Sequence, residues 1–302
     1  MENGTRWSPA HKDIISKMVK ETCKNIGRIK ECLNSQFIER KEVIDIVFLS
    51  ILSRQHSILI GGPGLAKTAV LKAIIRHISG FKLFDFQMTP LTKVEELFSW
   101  NNSSRTGIDN CDIAFIDEFF KGSSPVLNSL LGIMNERVIY NPHPKKIPLL
   151  CLFATSNERP DKSIHIDLLP LYDRFLLRKE IFPINGRDNF RNLLCSEGEY
   201  YDMKATISKE DLGYLSDYAQ RIPLRDSTLN LLYRIRENLK EKQVSVSDRR
   251  WKDIVKVLKT GAALRGKDEV ETIDITHIES SLWTYCSDIR TVKTILKKEL
   301  SS

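Results

Sequence analysis

Gly61-Gly62-Pro63-Gly64-Leu65-Ala66-Lys67-Thr68 is the stretch on which the reading of this chain turns. It matches G-x-x-x-x-G-K-[ST] at every defined position but one, where Ala66 replaces glycine. A loop of this composition lets backbone N–H groups converge on phosphate oxygens, because few bulky side chains stand in the way. The apolar run Ser57 to Ile60 reads as the strand leading in. Ala69 and the residues after it read as a helix whose N-terminus faces the anion. Lys67 then offers a cation to the β- and γ-phosphates, and Thr68 a hydroxyl to Mg²⁺. Alanine has the smallest side chain after glycine, and a helix-starting conformation is expected at Ala66.

Working outward, Ile113-Ala114-Phe115-Ile116-Asp117-Glu118 places four apolar residues before two carboxylates. That pattern describes a buried strand delivering acids to its C-terminal edge, where open α/β sheets bind ligands. Asp117 suits Mg²⁺ through its water shell, and Glu118 suits the attacking water. A further apolar run ends in Ala154-Thr155-Ser156-Asn157, so Asn157 is placed to hydrogen-bond the γ-phosphate or that water.

Around these motifs the chain alternates. Helices are expected from about Ser8 to Leu33 and from Lys41 to Ser53, with further strands at Leu149 to Ala154 and Leu176 to Phe182. Alternation of this kind argues for a parallel sheet covered on both faces. From Gly186 onward the pattern is mainly helical. The expected division is therefore an α/β core with N-terminal helices over 1–185 and a helical domain over 186–302.

Composition excludes several classes. The 302 residues are 41% hydrophobic and 28% charged, an ordinary globular balance. The net charge of +7 permits an acidic partner, but no block of five like charges occurs. No run approaches 18 apolar residues, and the start, MENGTRWSPAHKD, has no signal-like apolar core. No membrane span and a cytoplasmic location are the expectation. The six cysteines are scattered without a C-x-x-C pair, and the six histidines lack metal-ligand spacing.

With those motifs in hand, the chain resembles the MoxR group of AAA+ ATPases, and within it the RavA-type branch. The loop form Gly64-Leu65-Ala66-Lys67-Thr68 is typical of the group. Leu127-Asn128-Ser129-Leu130-Leu131 followed by Asn135-Glu136-Arg137 is similar to the helix and hairpin start before the sensor strand. Ala154-Thr155-Ser156-Asn157-Glu158 resembles sensor 1, and Leu171-Tyr172-Asp173-Arg174-Phe175 the arginine-finger motif. Asn189-Phe190-Arg191 and Val246-Ser247-Asp248-Arg249-Arg250-Trp251-Lys252 are similar to lid segments of the RavA-type branch.

The resemblance implies a P-loop AAA+ core, a parallel sheet sandwiched by helices, and then a mostly helical lid. It implies ATP and Mg²⁺ as cofactors and ATP hydrolysis as the activity. Arg174 would reach a neighbouring subunit's site, where an always-charged, two-pronged guanidinium suits a phosphoryl group. Arg249 would be sensor 2, contacting the phosphates from the lid, with Arg250 as the alternative bearer. Two departures stand out. The segment Thr89 to Asp112, with the polar tract Asn101-Asn102-Ser103-Ser104-Arg105, is shorter than the branch's usual insertion. The chain also stops at Ser302, without the extra C-terminal domain of RavA.

Three functions compete. One is a ring-forming remodelling chaperone, for which the resemblance implies a hexamer and a partner that carries a von Willebrand factor A domain. Another is a nucleic-acid motor or defence-system ATPase, which the sequence pI near 9.0 permits but no aromatic–basic interleaving supports. The third is a nucleotide-gated scaffold with negligible turnover, against which Glu118 and Arg174 argue.

Overall fold

A computed structural model describes residues 9–99, 106–140, 143–158, 169–195 and 206–301. The tract Asn101 to Arg105 lies outside the described residues. The described residues open with two helices, α1 (Pro9–Gln36) and α2 (Lys41–Ser53). Val19, Ile26, Ile29 and Leu33 recur on one face of α1, and all four are buried. Ile46 through Ser53 of α2 is buried without a break, because α1 and three later helices enclose it.

β1 (His56–Ile60) follows and is buried at all five positions. Next come α3 (Lys67–Arg76), β2 (Ile78–Ser79), β3 (Leu83–Gln87) and β4 (Ile113–Asp117). α4 (Ser124–Glu136) leads into a small antiparallel hairpin, β5 (Val138–Tyr140) and β6 (Pro144–Lys146). β7 (Cys151–Ser156), α5 (Leu169–Arg174) and β8 (Phe175–Glu180) complete the core. The main sheet has the order β3-β4-β7-β1-β8 and every pairing in it is parallel.

Parallel pairing on both sides explains why β1 is apolar throughout rather than alternating. It also aligns the strand ends. Ile60 pairs with Ser156 on one side and Glu180 on the other, and Gln87 pairs with Asp117. The loops after β1, β4, β7 and β8 therefore share one edge of the sheet. His56, Cys151 and Phe175 begin their strands at the opposite edge, roughly 16 Å away for a five-residue strand at about 3.3 Å per residue.

The rest is helical: α6 (Arg187–Cys195), a short β9 (Ile207–Ser208), α7 (Lys209–Arg221), α8 (Asp226–Glu241), α9 (Asp248–Leu264) and α10 (Ile289–Leu300). β9 pairs in parallel with β2, which stitches the segment after residue 185 to the sheet-bearing half. Ser208 and Asp211 form a capping box on α7, and the Ser247 hydroxyl caps α9 by accepting from the Arg250 N–H. Two buried arginines fasten the helical half to β8. Arg178 of β8 and Arg250 of α9 both donate to the carbonyl oxygen of Trp283, the latter at 2.9 Å. Arg178 also stacks 4.4 Å over the Tyr172 ring.

Among the described residues, no helix is long and apolar enough to cross a membrane, and no disulfide forms among the six cysteines.

Candidate functional site

The loop between β1 and α3 is bent around its glycines. A Cβ on Gly61 would sit 2.5 Å from the carbonyl oxygen of Ile181, so only glycine lets the loop pass β8 this closely. Gly64 takes φ +75°, in the region that favours glycine. Gly62, Pro63 and Gly64 are exposed at the crest, with Leu65 and Ala66 half-buried behind them. Ala66 departs from the expected helix-starting conformation. It holds φ 60° and ψ 19°, the left-handed region, as the residue before α3. An L-residue there costs about 1–2 kcal/mol, which is why the motif ordinarily calls for glycine.

No side chain caps the N-terminus of α3. Its first amides, those of Lys67, Thr68 and Ala69, precede the Val70 N–H that bonds to the Ala66 carbonyl and are the orphan donors of a helix start, the groups that favour an anion. Lys67 is buried, and its ammonium donates to neutral oxygens: the carbonyls of Gly61 and Gly62 (2.8 Å to the latter) and Oδ1 of Asn157 at 2.8 Å. Burial pushes its pKa down, while Glu118 and Asp117 nearby pull it back up. With only neutral oxygens in direct contact, the ammonium has no counter-ion of its own and is open to pair with a phosphate. A Cβ-free crest, an uncapped helix start and a cation held by neutral oxygens together fit a bound triphosphate. The Thr68 hydroxyl and the Asp117 carboxylate are the kind of oxygen ligands that Mg²⁺ prefers.

The two acids lie at the C-terminal end of β4. Asp117 ends β4, and its carboxylate accepts from the Glu118 N–H at 3.1 Å and from the Thr155 hydroxyl. Thr155 Oγ1 in turn accepts from the same Glu118 N–H at 3.2 Å. Glu118 takes φ 54°, a left-handed kink that turns its side chain off the strand line. Asn157 donates from Nδ2 to Glu118 Oε1 while its oxygen accepts from Lys67. Asn157 thus links the cation and the acid. The Lys121 ammonium lies 3.5 Å from the other Glu118 oxygen.

Motif reading missed three residues here. Thr155, hidden mid-strand, fixes both acids. Lys121 pairs with Glu118. Arg40, buried at the α1–α2 junction, donates to the Leu65 carbonyl at 3.1 Å and the Phe182 carbonyl at 3.2 Å, pinning the loop to the exit of β8. A buried arginine more than twenty residues before the loop carries no local signal in the sequence.

The remaining arginines lie elsewhere. Arg174 ends α5 just before β8 begins, at the sheet edge opposite the cradle. Arg249, in the first turn of α9, is beside it: both guanidiniums donate to Oδ1 of Asn135, Arg249 at 2.7 Å. Arg249 therefore does not reach its own subunit's phosphates from the lid, which corrects that expectation. The strand length separates it from them. Arg250, the other expected bearer, is buried, and its guanidinium is consumed by Thr284 Oγ1 (3.0 Å), Ser281 O and Trp283 O. Burial and the nearby Arg178 push its pKa well down. It fastens the lid and is not available to a phosphate.

A family model described as the MoxR domain in MoxR–vWA–beta-propeller ternary systems matches residues 24–216. The chain belongs to the MoxR family of AAA+ ATPases. An AAA lid domain model matches residues 227–296 of the same MoxR chain. It is 34% identical to an uncharacterized protein of Methanocaldococcus jannaschii, over 92% of this chain and 75% of that one. A second uncharacterized protein of the same organism is 35% identical, over 85% and 71% of the two chains. A structural protein of Acidianus two-tailed virus is 27% identical, over 66% of this chain and 35% of the viral one. Among solved structures, a Cytophaga hutchinsonii protein described as a candidate ATPase aligns with TM-score 0.73 and 18% identity, covering 93% of this chain and 96% of that one. At that identity the likeness speaks to the fold, which is that of a MoxR-type AAA+ core and lid.

Proposed function

We propose that this MoxR chain binds ATP with Mg²⁺ and hydrolyses it at sites shared between neighbouring subunits of a ring, most simply a hexamer. In each site Gly61 to Ala69 wraps the phosphates and Lys67 neutralises the β- and γ-groups. Thr68 and Asp117 hold the metal, which supplies charge stabilisation at the transferred phosphoryl group. Glu118 accepts the proton of the attacking water, and Asn157 holds Glu118 in line for it. Arg174 and Arg249 come from the adjacent subunit and stabilise the charge that develops on the γ-phosphate.

One observation carries this reading. The cradle and the arginine pair lie at opposite ends of the same parallel strands, joined to each other by β1 and β8. A head-to-tail contact that closes into a ring brings the two ends together, one from each copy. The division into a 1–185 core and a 186–302 lid, and the placing near the RavA-type branch on the Val246 to Lys252 segment, belong to the same proposal. So does a cytoplasmic site of action.

The family model's description, which places such domains in MoxR–vWA–beta-propeller systems, supports a protein client. A partner with a von Willebrand factor A domain, remodelled as the ring cycles, is the client we favour. The test measures turnover per subunit against protein concentration, with assembly state followed by light scattering. Turnover should rise with ring formation and with an added von Willebrand factor A domain protein. Full-rate hydrolysis by a monomer refutes the shared site, and stimulation by DNA instead of protein points to a nucleic-acid motor.

A further inference from the structure

We propose that Asn135 is a positioning residue for hydrolysis: its side-chain oxygen holds Arg174 and Arg249 together as one charged pair for the neighbouring subunit's γ-phosphate. The inference rests on the shared-site reading above. Asn135 sits in the last turn of α4, one residue before the helix ends and two before Arg137 takes φ 56°. Its Oδ1 accepts from Arg174 Nε and, at 2.7 Å, from Arg249 Nη1. Arginine can only donate, so the amide oxygen and not the amide nitrogen faces the pair.

Two guanidiniums this close repel. Arg174 has its pKa pushed down by burial first and by Arg249 second, with Asp173 pulling the other way. Three features offset the repulsion. A single carbonyl oxygen has two lone pairs and can serve both donors. The C-terminal end of α4 carries the negative pole of the helix. Asp173 lies 3.6 Å from the far side of Arg174, while Ser247, at the start of α9, donates to the same carboxylate at 3.2 Å. That last contact links α5 to the turn that launches Arg249.

The segment that carries Asn135 is itself anchored. Arg137 donates to the carbonyls of Met134, Leu150 (3.1 Å) and Arg54 (3.2 Å), all at this edge of the sheet. The chemistry of the acceptor matters as much as its place. A carboxylate at position 135 would orient the arginines equally well but, added to Asp173, would set two negative charges against the two guanidiniums. A neutral amide aligns the guanidiniums and leaves their charge for the phosphoryl oxygens. Arg174 comes from the core and Arg249 from the lid, so one oxygen also makes the arginine pair depend on how the lid sits against the core.

The experiment compares wild type, Asn135→Ala, Asn135→Asp and Arg174→Ala for turnover, nucleotide affinity and melting temperature. Asn135→Ala should lose about 10- to 100-fold in kcat, the scale of a misplaced catalytic group, while nucleotide affinity and melting hold. Asn135→Asp should melt at or above wild type and still lose turnover; unchanged turnover in that variant overturns the neutral-acceptor argument. Mixing Asn135→Ala with Glu118→Gln subunits gives a readout that a merely structural role would not move. Head-to-tail interfaces that pair an intact acid with an intact arginine edge arise in about one quarter of random contacts, so about a quarter of wild-type turnover should return. Absence of that recovery overturns the proposal, because the defect would then lie within one subunit. Wild-type turnover in Arg174→Ala sinks the shared-site reading itself, whereas a dead Arg174→Ala beside a fully active Asn135→Ala sinks only the role of Asn135.

Discussion

Arg249 and Arg250 are adjacent in sequence, and their replacement should have opposite consequences. Arg250 is 2% exposed and gives hydrogen bonds to Thr284 Oγ1, Ser281 O and Trp283 O. Replacing it with alanine strands the Ser281 carbonyl, leaves the Trp283 carbonyl to Arg178 alone and opens a cavity beside Arg178. Charged hydrogen bonds contribute about 1.5–3 kcal/mol each, but freeing a desolvated guanidinium returns part of that sum, so the net loss is about 4 kcal/mol. At about 2 °C per kcal/mol for a chain of this size, the melting midpoint should fall by about 8 °C. Arg249 is exposed, and its guanidinium donates to a neutral oxygen, Oδ1 of Asn135. Arg249→Ala should therefore melt within about 0.5 kcal/mol of wild type. It should nevertheless lose at least about 100-fold in turnover, as removal of a trans-acting arginine does. Scanning calorimetry paired with steady-state ATPase at 20 °C, well below both transitions, reads the two effects separately. Normal melting with lost turnover in Arg250→Ala, or a large destabilisation in Arg249→Ala, would refute the assignment.

Lys67→Ala should abolish nucleotide affinity in a fluorescent-nucleotide titration, because the phosphates lose their buried cation; retained micromolar binding contradicts the cradle. Glu118→Gln should bind ATP and trap assembled rings without turnover, and normal phosphate release in that variant ends the role given to Glu118. Ala66→Gly should raise stability by about 0.5–1 kcal/mol in denaturant unfolding, the relief of left-handed strain less glycine's added chain entropy. His56 is buried, accepts from the Leu152 N–H at 2.8 Å, and has its pKa pushed well below the usual value, by burial first and then by Arg137. The unfolded chain therefore binds a proton near pH 6.5 that the folded chain refuses. Stability should fall as pH drops below that value, by about 1.4 kcal/mol per unit, and His56→Gln should flatten part of the slope. A melting temperature that stays level in wild type between pH 7.5 and 5.5 contradicts this. His277, whose pKa is also lowered by burial, adds a parallel contribution.

The helices and the central strands were legible because their patterns are local. α2 falls at Lys41 to Ser53 as its apolar run predicts, and β1 begins one residue earlier than expected. β7 extends two residues past Ala154, to Ser156, because pairing with β1 carries the ladder to the end of Ile60. The conformation of Ala66 was not legible. A small side chain tolerates either a helical or a left-handed backbone, and the local pattern does not choose between them; the folded loop holds the second. Thr155 was hidden for a similar reason: only pairing with β4 shows which hydroxyl of a strand faces Asp117 and Glu118.

Taken alone, the amino-acid order determined that a glycine-rich loop, two acids and an asparagine would meet at one sheet edge, since each follows an apolar strand and parallel strands end together. It could not say which of two neighbouring arginines on α9 meets solvent, because successive helical residues point about 100° apart and only packing chooses the inner face. Nor could it bring Asn135 under Arg174 and Arg249. Those three come from α4, α5 and α9, and their meeting is decided by the seating of the lid helix against the far edge of the sheet.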